Sequence, residues 1–212
     1  MNNELIKRIV SSIILIPIAL FFIIKGTYYF NFFILICFVI TAYEWHMMSK
    51  KKSYYIFGFI FLFFSFFSTY HLRNDFSGVY YLLMITLICV STDIGGYIFG
   101  KIFKGPKLIK ISPNKTYSGM IGGFFTSIIS ANFFLHYAPS DIELPGKMSL
   151  EIFVFVILIS LVSQIGDLII SYFKRLSKVK NTGKIIPGHG GLLDRIDGMI
   201  FAFPFTYFYL FI

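Results

Sequence analysis

Four aspartates in this 212-residue sequence stand in segments where acids are costly. Asp93 lies in STDIGGYIFG, Asp167 in SQIGDLIISYFKR, and Asp194 and Asp197 in GHGGLLDRIDGM. The flanking runs are apolar enough to enter a membrane, where a central Asp costs about 2.5–3.5 kcal/mol. Asp167, Ser171, Lys174 and Arg175 recur at i, i+4, i+7 and i+8, which is one face of a helix. Asp194 and Asp197, three apart, share a face in the same way. Two carboxylates brought together by different helices suit a hard cation such as Mg²⁺, which prefers oxygen ligands and is usually shared with substrate phosphates. For any one aspartate, an ion pair with Lys or Arg between helices would serve as well. Four of them beside two basic segments favour the cation and phosphate site.

Pro187-Gly188-His189-Gly190-Gly191 adds backbone chemistry, because glycines let the chain approach a ligand closely and successive N–H groups can cradle phosphate oxygens. The acid–base–apolar–acid tetrad Asp194-Arg195-Ile196-Asp197 follows at once. A second basic segment reads Ser112-Pro113-Asn114-Lys115-Thr116-Tyr117-Ser118-Gly119. Lys115 is a mobile phosphate-binding cation, and Ser112 and Thr116 are hydroxyl donors. Alone, this segment reads equally as a helix start capped by Ser or Thr.

Spans must position these groups. With 57% hydrophobic and 14% charged residues, 28 Phe, 14 Tyr and only 10 acids, the chain can be neither a soluble globule nor disordered. Cys37 and Cys89 lie in apolar runs and build no disulfide framework or zinc cluster. His46, His71 and His136 read as structural or interfacial. A span takes roughly 20 mostly apolar residues, and the candidates run about 9–24, 28–43, 54–70, 79–100, 119–137, 151–170 and 196–212. The first is too long, and lacks the cleavage site, for a signal peptide, so it reads as a retained span that pairs with the second across Lys25-Gly26. The expected fold is all-α: a polytopic membrane protein of about seven helices.

Placing the N-terminus in the cytoplasm leaves 16 of the 19 cations inside, with only Lys25, Arg73 and Lys147 outside. That asymmetry is what retention of Lys and Arg produces. All four aspartates then fall at the cytoplasmic ends of spans four, six and seven, beside the basic segments. Arg is rare here, 4 against 15 Lys, so Arg175 and Arg195 hint at planar bidentate donors for phosphate or carboxylate.

The stretch Ser171-x-Phe173-Lys174-Arg175, Lys180, Pro187-Gly188-His189-Gly190-Gly191-x-x-Asp194-Arg195-x-Asp197 resembles the signature of the phosphatidate cytidylyltransferase (CDP-diacylglycerol synthase) family. Asp93-Ile94-Gly95-Gly96-Tyr97, Ser112-Pro113-x-Lys115-Thr116-Tyr117-x-Gly119 and Gly166-Asp167-Leu168 resemble its other segments. The likeness covers roughly 91–199, so the chain divides into N-terminal helices (1–90) and a catalytic region (91–212). Two positions depart from the pattern: Asn181 stands where the family usually shows Asp, and Ser118 where it usually shows Glu.

The resemblance implies transfer of CMP from CTP to phosphatidate, giving CDP-diacylglycerol and pyrophosphate, in a bacterial inner membrane with the site facing the cytoplasm. It implies Mg²⁺ on Asp167 and Asp194, with room for a second cation. Ser171 would bind metal or phosphate. Lys174, Arg175, Lys180 and Arg195 would neutralise phosphates, joined by Lys115 and Ser112. Gly190 and Gly191 would approach the substrate, His189 would donate to a phosphate, and Asp197 would orient Arg195. Asp93 is a nucleotide or metal ligand, or a helix–helix partner. No nucleic-acid partner is expected, and a homodimer is compatible with the sequence. A CTP-dependent kinase of polyprenol-type lipids shares the nucleotide and metal requirements. A transporter is the weaker alternative, since its polar groups would gather near the midplane.

Overall fold

The computed structural model describes residues 3–74, 78–109, 112–138, 148–188 and 190–211. Its helices are α1 (Asn3–Lys25), α2 (Thr27–Ser49), α3 (Tyr55–Asn74), α4 (Gly78–Phe103), α5 (Tyr117–Tyr137), α6 (Leu150–Leu176), α7 (Leu193–Ile196) and α8 (Met199–Phe211). Two short strands, β1 (Lys107–Ile109) and β2 (Ser112–Thr116), form an antiparallel ribbon between α4 and α5. The expectation of an all-α chain therefore holds for the membrane part and is corrected at this ribbon, which sequence reading treats as a loop. Chain reversal begins at Lys104 and Gly105, both in the left-handed region. Ser118 fixes the return by donating its hydroxyl to the Lys104 carbonyl. Thr116 caps α5, accepting from the Gly119 N–H at 3.1 Å.

Helices α2 to α6 are long and apolar enough to cross a membrane. The apolar part of α1 (Val10–Lys25) and of α8 (Met199–Leu210) is shorter. At 1.5 Å per residue the 13 residues of α8 rise about 20 Å, less than a hydrocarbon core of about 30 Å. Among the described residues, length and composition therefore support five crossings of the seven expected.

Polarity is arranged as lipid requires. Phe57, Phe63, Phe125 and Phe133 point outward, whereas Ser65, Ser68, Thr69 and Ser127 are buried between helices. Ser68 and Thr69 return their hydroxyls to carbonyls one turn back, at 2.9 and 2.8 Å, so neither is stranded. At the end remote from the aspartates, Arg73 donates to the Ile23 carbonyl at 2.8 Å and ties α3 to the α1–α2 hairpin. The main core joins Leu72 of α3 to Ile85 and Ile88 of α4, Leu135 of α5, Ile159 of α6 and Ala202 of α8.

Helices α4 and α5 pack closely, and small residues allow it. A Cβ on Gly119 would lie 2.6 Å from the Gly96 carbonyl oxygen, whereas one on Gly96 would meet the Gly119 carbonyl at an ordinary 3.6 Å. Gly119→Val is accordingly expected to cost about 1–3 kcal/mol by forcing the helices apart. Gly96→Ala is expected to leave thermal stability in detergent almost unchanged. Equal melting temperatures for both variants would refute this account of the pair.

Candidate active site

The C-terminal ends of α2, α4 and α6, the ribbon, and the segment 177–198 meet at one end of the bundle. Ser171 donates to Asp167 Oδ1 at 3.3 Å, as the i, i+4 spacing on α6 requires. Lys115 of β2 forms an ion pair with the other oxygen of Asp167. Both partners remain about a quarter exposed, so the pair is accessible to a ligand. Asp197, in the two-residue break between α7 and α8, lies within electrostatic reach of Asp167. Asp93 on α4 is accessible yet ringed by protein, within electrostatic reach of Asp167, Lys115 and Arg195.

Asp194 is placed differently. Its Oδ1 accepts from Lys174 Nζ at 2.9 Å, and its Oδ2 accepts from the N–H groups of Thr182 and Gly191 at 2.8 and 3.0 Å. Lys174 also lies 3.8 Å from Asp197 Oδ2. This cluster is buried, with side-chain exposures of 11% for Lys174 and 6% for Asp194, so Lys174 holds the site together instead of facing solvent. Arg175, Lys180 and Arg195 are exposed around it. Ser112 lies on β2, half-buried. His189 lies outside the described residues.

The glycine-rich turn folds on itself. Ile186 and Gly190 exchange two backbone hydrogen bonds, at 2.9 and 3.1 Å, across a reversal in which Gly188 and Gly190 adopt positive φ. The Gly190 N–H is thus spent on Ile186, and the Gly191 N–H on Asp194. The next two N–H groups, of Leu192 and Leu193, are taken by Glu44. The expected backbone cradle is thus engaged internally, and a phosphate arriving here would meet side-chain cations first.

Sequence reasoning missed Glu44, which is 1% exposed on α2 and sits under this turn. Its one visible sign is an acid immediately after an apolar span, in Ala42-Tyr43-Glu44-Trp45. The neighbouring Trp45 packs edge-on against Phe173 and donates to the Tyr55 carbonyl at 3.0 Å, locking α2 to α6 and α3.

The donor set suits Mg²⁺. Among the described residues no three His, Cys, Asp or Glu side chains converge into a cage that could hold a metal unaided. Mg²⁺ rarely needs one, since it binds through one or two carboxylates plus phosphates and water. The accessible oxygens of Asp167 and Ser171, with the buried Asp197 behind them, are of that kind.

A helical membrane bundle with acids, hydroxyls and exposed cations gathered at one end is equipped to handle an anionic, phosphate-bearing substrate at the membrane surface. The chain belongs to the cytidylyltransferase family, which matches residues 50–212. It is similar to a phosphatidate cytidylyltransferase of Haemophilus influenzae, 38% identical over 146 residues, which are 68% of this chain and 50% of that protein. It is also similar to the phosphatidate cytidylyltransferase of Staphylococcus aureus, 44% identical over 137 residues, covering 64% and 50%. That of Staphylococcus haemolyticus is 40% identical over 136 residues. The chain spans about half the length of these curated relatives.

Proposed function

We propose that the chain catalyses transfer of CMP from CTP to phosphatidate, releasing pyrophosphate. The observation that carries this reading is the accessible Asp167–Lys115–Ser171 constellation, in a chain of the cytidylyltransferase family that also exposes Arg175, Lys180 and Arg195. A phosphate monoester has a second pKa of about 6, so the lipid phosphate is already a nucleophile at neutral pH and no general base is needed. One of its oxygens bonds to the α-phosphorus of CTP as the bond from that phosphorus to the bridging oxygen of pyrophosphate breaks. Catalysis is then a matter of positioning and of neutralising charge.

Bound Mg²⁺ would neutralise charge on the nucleotide phosphates. Asp167 and Asp194 would hold it, Asp194 once its Oδ1 exchanges the Lys174 ammonium for the cation, while two backbone donors fix Oδ2. Lys115 exchanges its contact with Asp167 for a phosphate as nucleotide arrives. Arg175, Lys180 and Arg195 bind the phosphates, and Asp197 keeps Lys174 and Asp167 in register.

We further propose that α1 and α8 also cross the membrane, the bilayer thinning locally around the short α8, giving seven crossings with the N-terminus and the site in the cytoplasm of a bacterial inner membrane. The basic residues at the site end, Lys101 through Lys115 and Lys174 through Arg195, support that orientation. The continuous α4, α5 and α6 and the charges at one end, away from the midplane, speak against a transporter. Mass spectrometry of the products tests the reaction against the lipid-kinase alternative. CDP-lipid and pyrophosphate in equal amounts are expected, and phospho-lipid with free CDP would overturn the assignment.

A further inference from the structure

Glu44 lies before the stretch that matches the family, outside every motif that marks the site, and its carboxylate is buried at 1% exposure. Burying an acid is expensive unless donors surround it. Here Oε1 accepts from the Leu192 N–H at 2.8 Å, and Oε2 accepts from the Leu193 N–H at 2.8 Å and the Thr182 hydroxyl at 3.0 Å. Among the described residues no Lys, Arg or His forms an ion pair with it. The segment is moulded to this group: a Cβ on Gly183 would lie 2.7 Å from Oε1, and one on Gly191 would lie 2.5 Å from Oε2.

Glu44 and Asp194 grip the same two points of the chain. Thr182 gives its N–H to Asp194 and its hydroxyl to Glu44. On the returning strand Gly191 donates to Asp194, and Leu192 and Leu193 donate to Glu44. Opposite ends of the segment 182–193 are thereby clipped together by two carboxylates, one from α2 and one from the segment's own flank. The backbone leading into Asp194 is fixed by Glu44, so the direction in which Asp194 faces Lys174 depends on α2.

We propose that Glu44 is a positioning residue for the cytidylyl transfer proposed above, closing the segment 182–193 from beneath so that Asp194 and Lys174 keep the geometry the reaction needs. It touches neither substrate nor cation. A glutamine of the same size would turn an N–H₂ group toward at least one of three donors, opening the clip while leaving the helix bundle packed.

The test uses the whole chain in detergent micelles and compares wild type, Glu44→Gln, the milder Thr182→Ala, and Glu151→Gln at the far end of α6 as control. For Glu44→Gln, kcat is expected to fall about ten- to hundredfold, the range typical of residues that orient a metal ligand. The Mg²⁺ concentration for half-maximal activity should rise, and KM for phosphatidate should change less than twofold. Trypsin should cut at exposed Lys180 and Lys184 several-fold faster, with thermal melting of the bundle little altered. Thr182→Ala should move each quantity the same way by less, and Glu151→Gln should move none. A Glu44→Gln protein with unchanged kcat and Mg²⁺ midpoint, or one whose loss of activity tracks melting alone without faster tryptic cleavage, would overturn the proposal. Should wild type transfer no cytidylyl group while Glu44→Gln still accelerates cleavage, the functional reading fails and the clip stands as a structural device only.

Discussion

Asp194→Asn is expected to lower turnover more than about a hundredfold, the scale on which loss of one charge-stabilising group is felt. It is also expected to cost stability. The carboxylate it removes faces the buried Lys174 ammonium at 2.9 Å and receives two backbone N–H groups on its other oxygen. An asparagine offers one oxygen for three donors and turns its N–H₂ toward one of them. Lys174 would be left with Asp197 at 3.8 Å. Removing one member of a buried pair typically costs about 3–5 kcal/mol, because the remaining charge is stranded. Calorimetry and turnover should therefore fall together. Wild-type turnover in a folded variant would sink the assignment of Asp194.

Asp167→Asn should separate the two effects. Its turnover is expected to fall by more than about a hundredfold as well, since Asp167 is the accessible carboxylate at the meeting point of Lys115, Ser171 and Asp197. Its pair with Lys115 is about a quarter exposed, and partly solvated pairs contribute about 1 kcal/mol or less. The melting temperature should hence barely move. A large drop in stability without a drop in kcat would mean that Asp167 is a helix–helix partner, the alternative its sequence leaves open.

The helical face of Asp167 and Ser171 was legible because i, i+4 contact is a property of the helix itself, and the hydroxyl does reach the carboxylate. Lys174 lies on the same face, yet its partner is Asp194, 20 residues on, and only the folded course of segment 177–193 turns a presumed phosphate ligand into a buried tie. The ribbon was illegible because β1 and β2 have three and five residues, too short for an alternating pattern, with Pro113 inside the second. The glycines correctly marked a turn, but which N–H groups face outward depends on the acids beneath them. Glu44 left almost no trace, because its partners are two backbone N–H groups and one hydroxyl, 138 to 149 residues away. Charge patterning does not register such contacts. Among the described residues five evident spans remain because the apolar parts of α1 and α8 are both short, α8 starting only after the Asp197-Gly198 break.

The most direct test follows the α-phosphate. Purified chain in detergent, given phosphatidate, Mg²⁺ and CTP labelled at that phosphate, is expected to move label into lipid, and EDTA or Asp194→Asn is expected to abolish the transfer. Folded wild-type protein that leaves the lipid unlabelled, or labels it equally well in EDTA, would contradict the account.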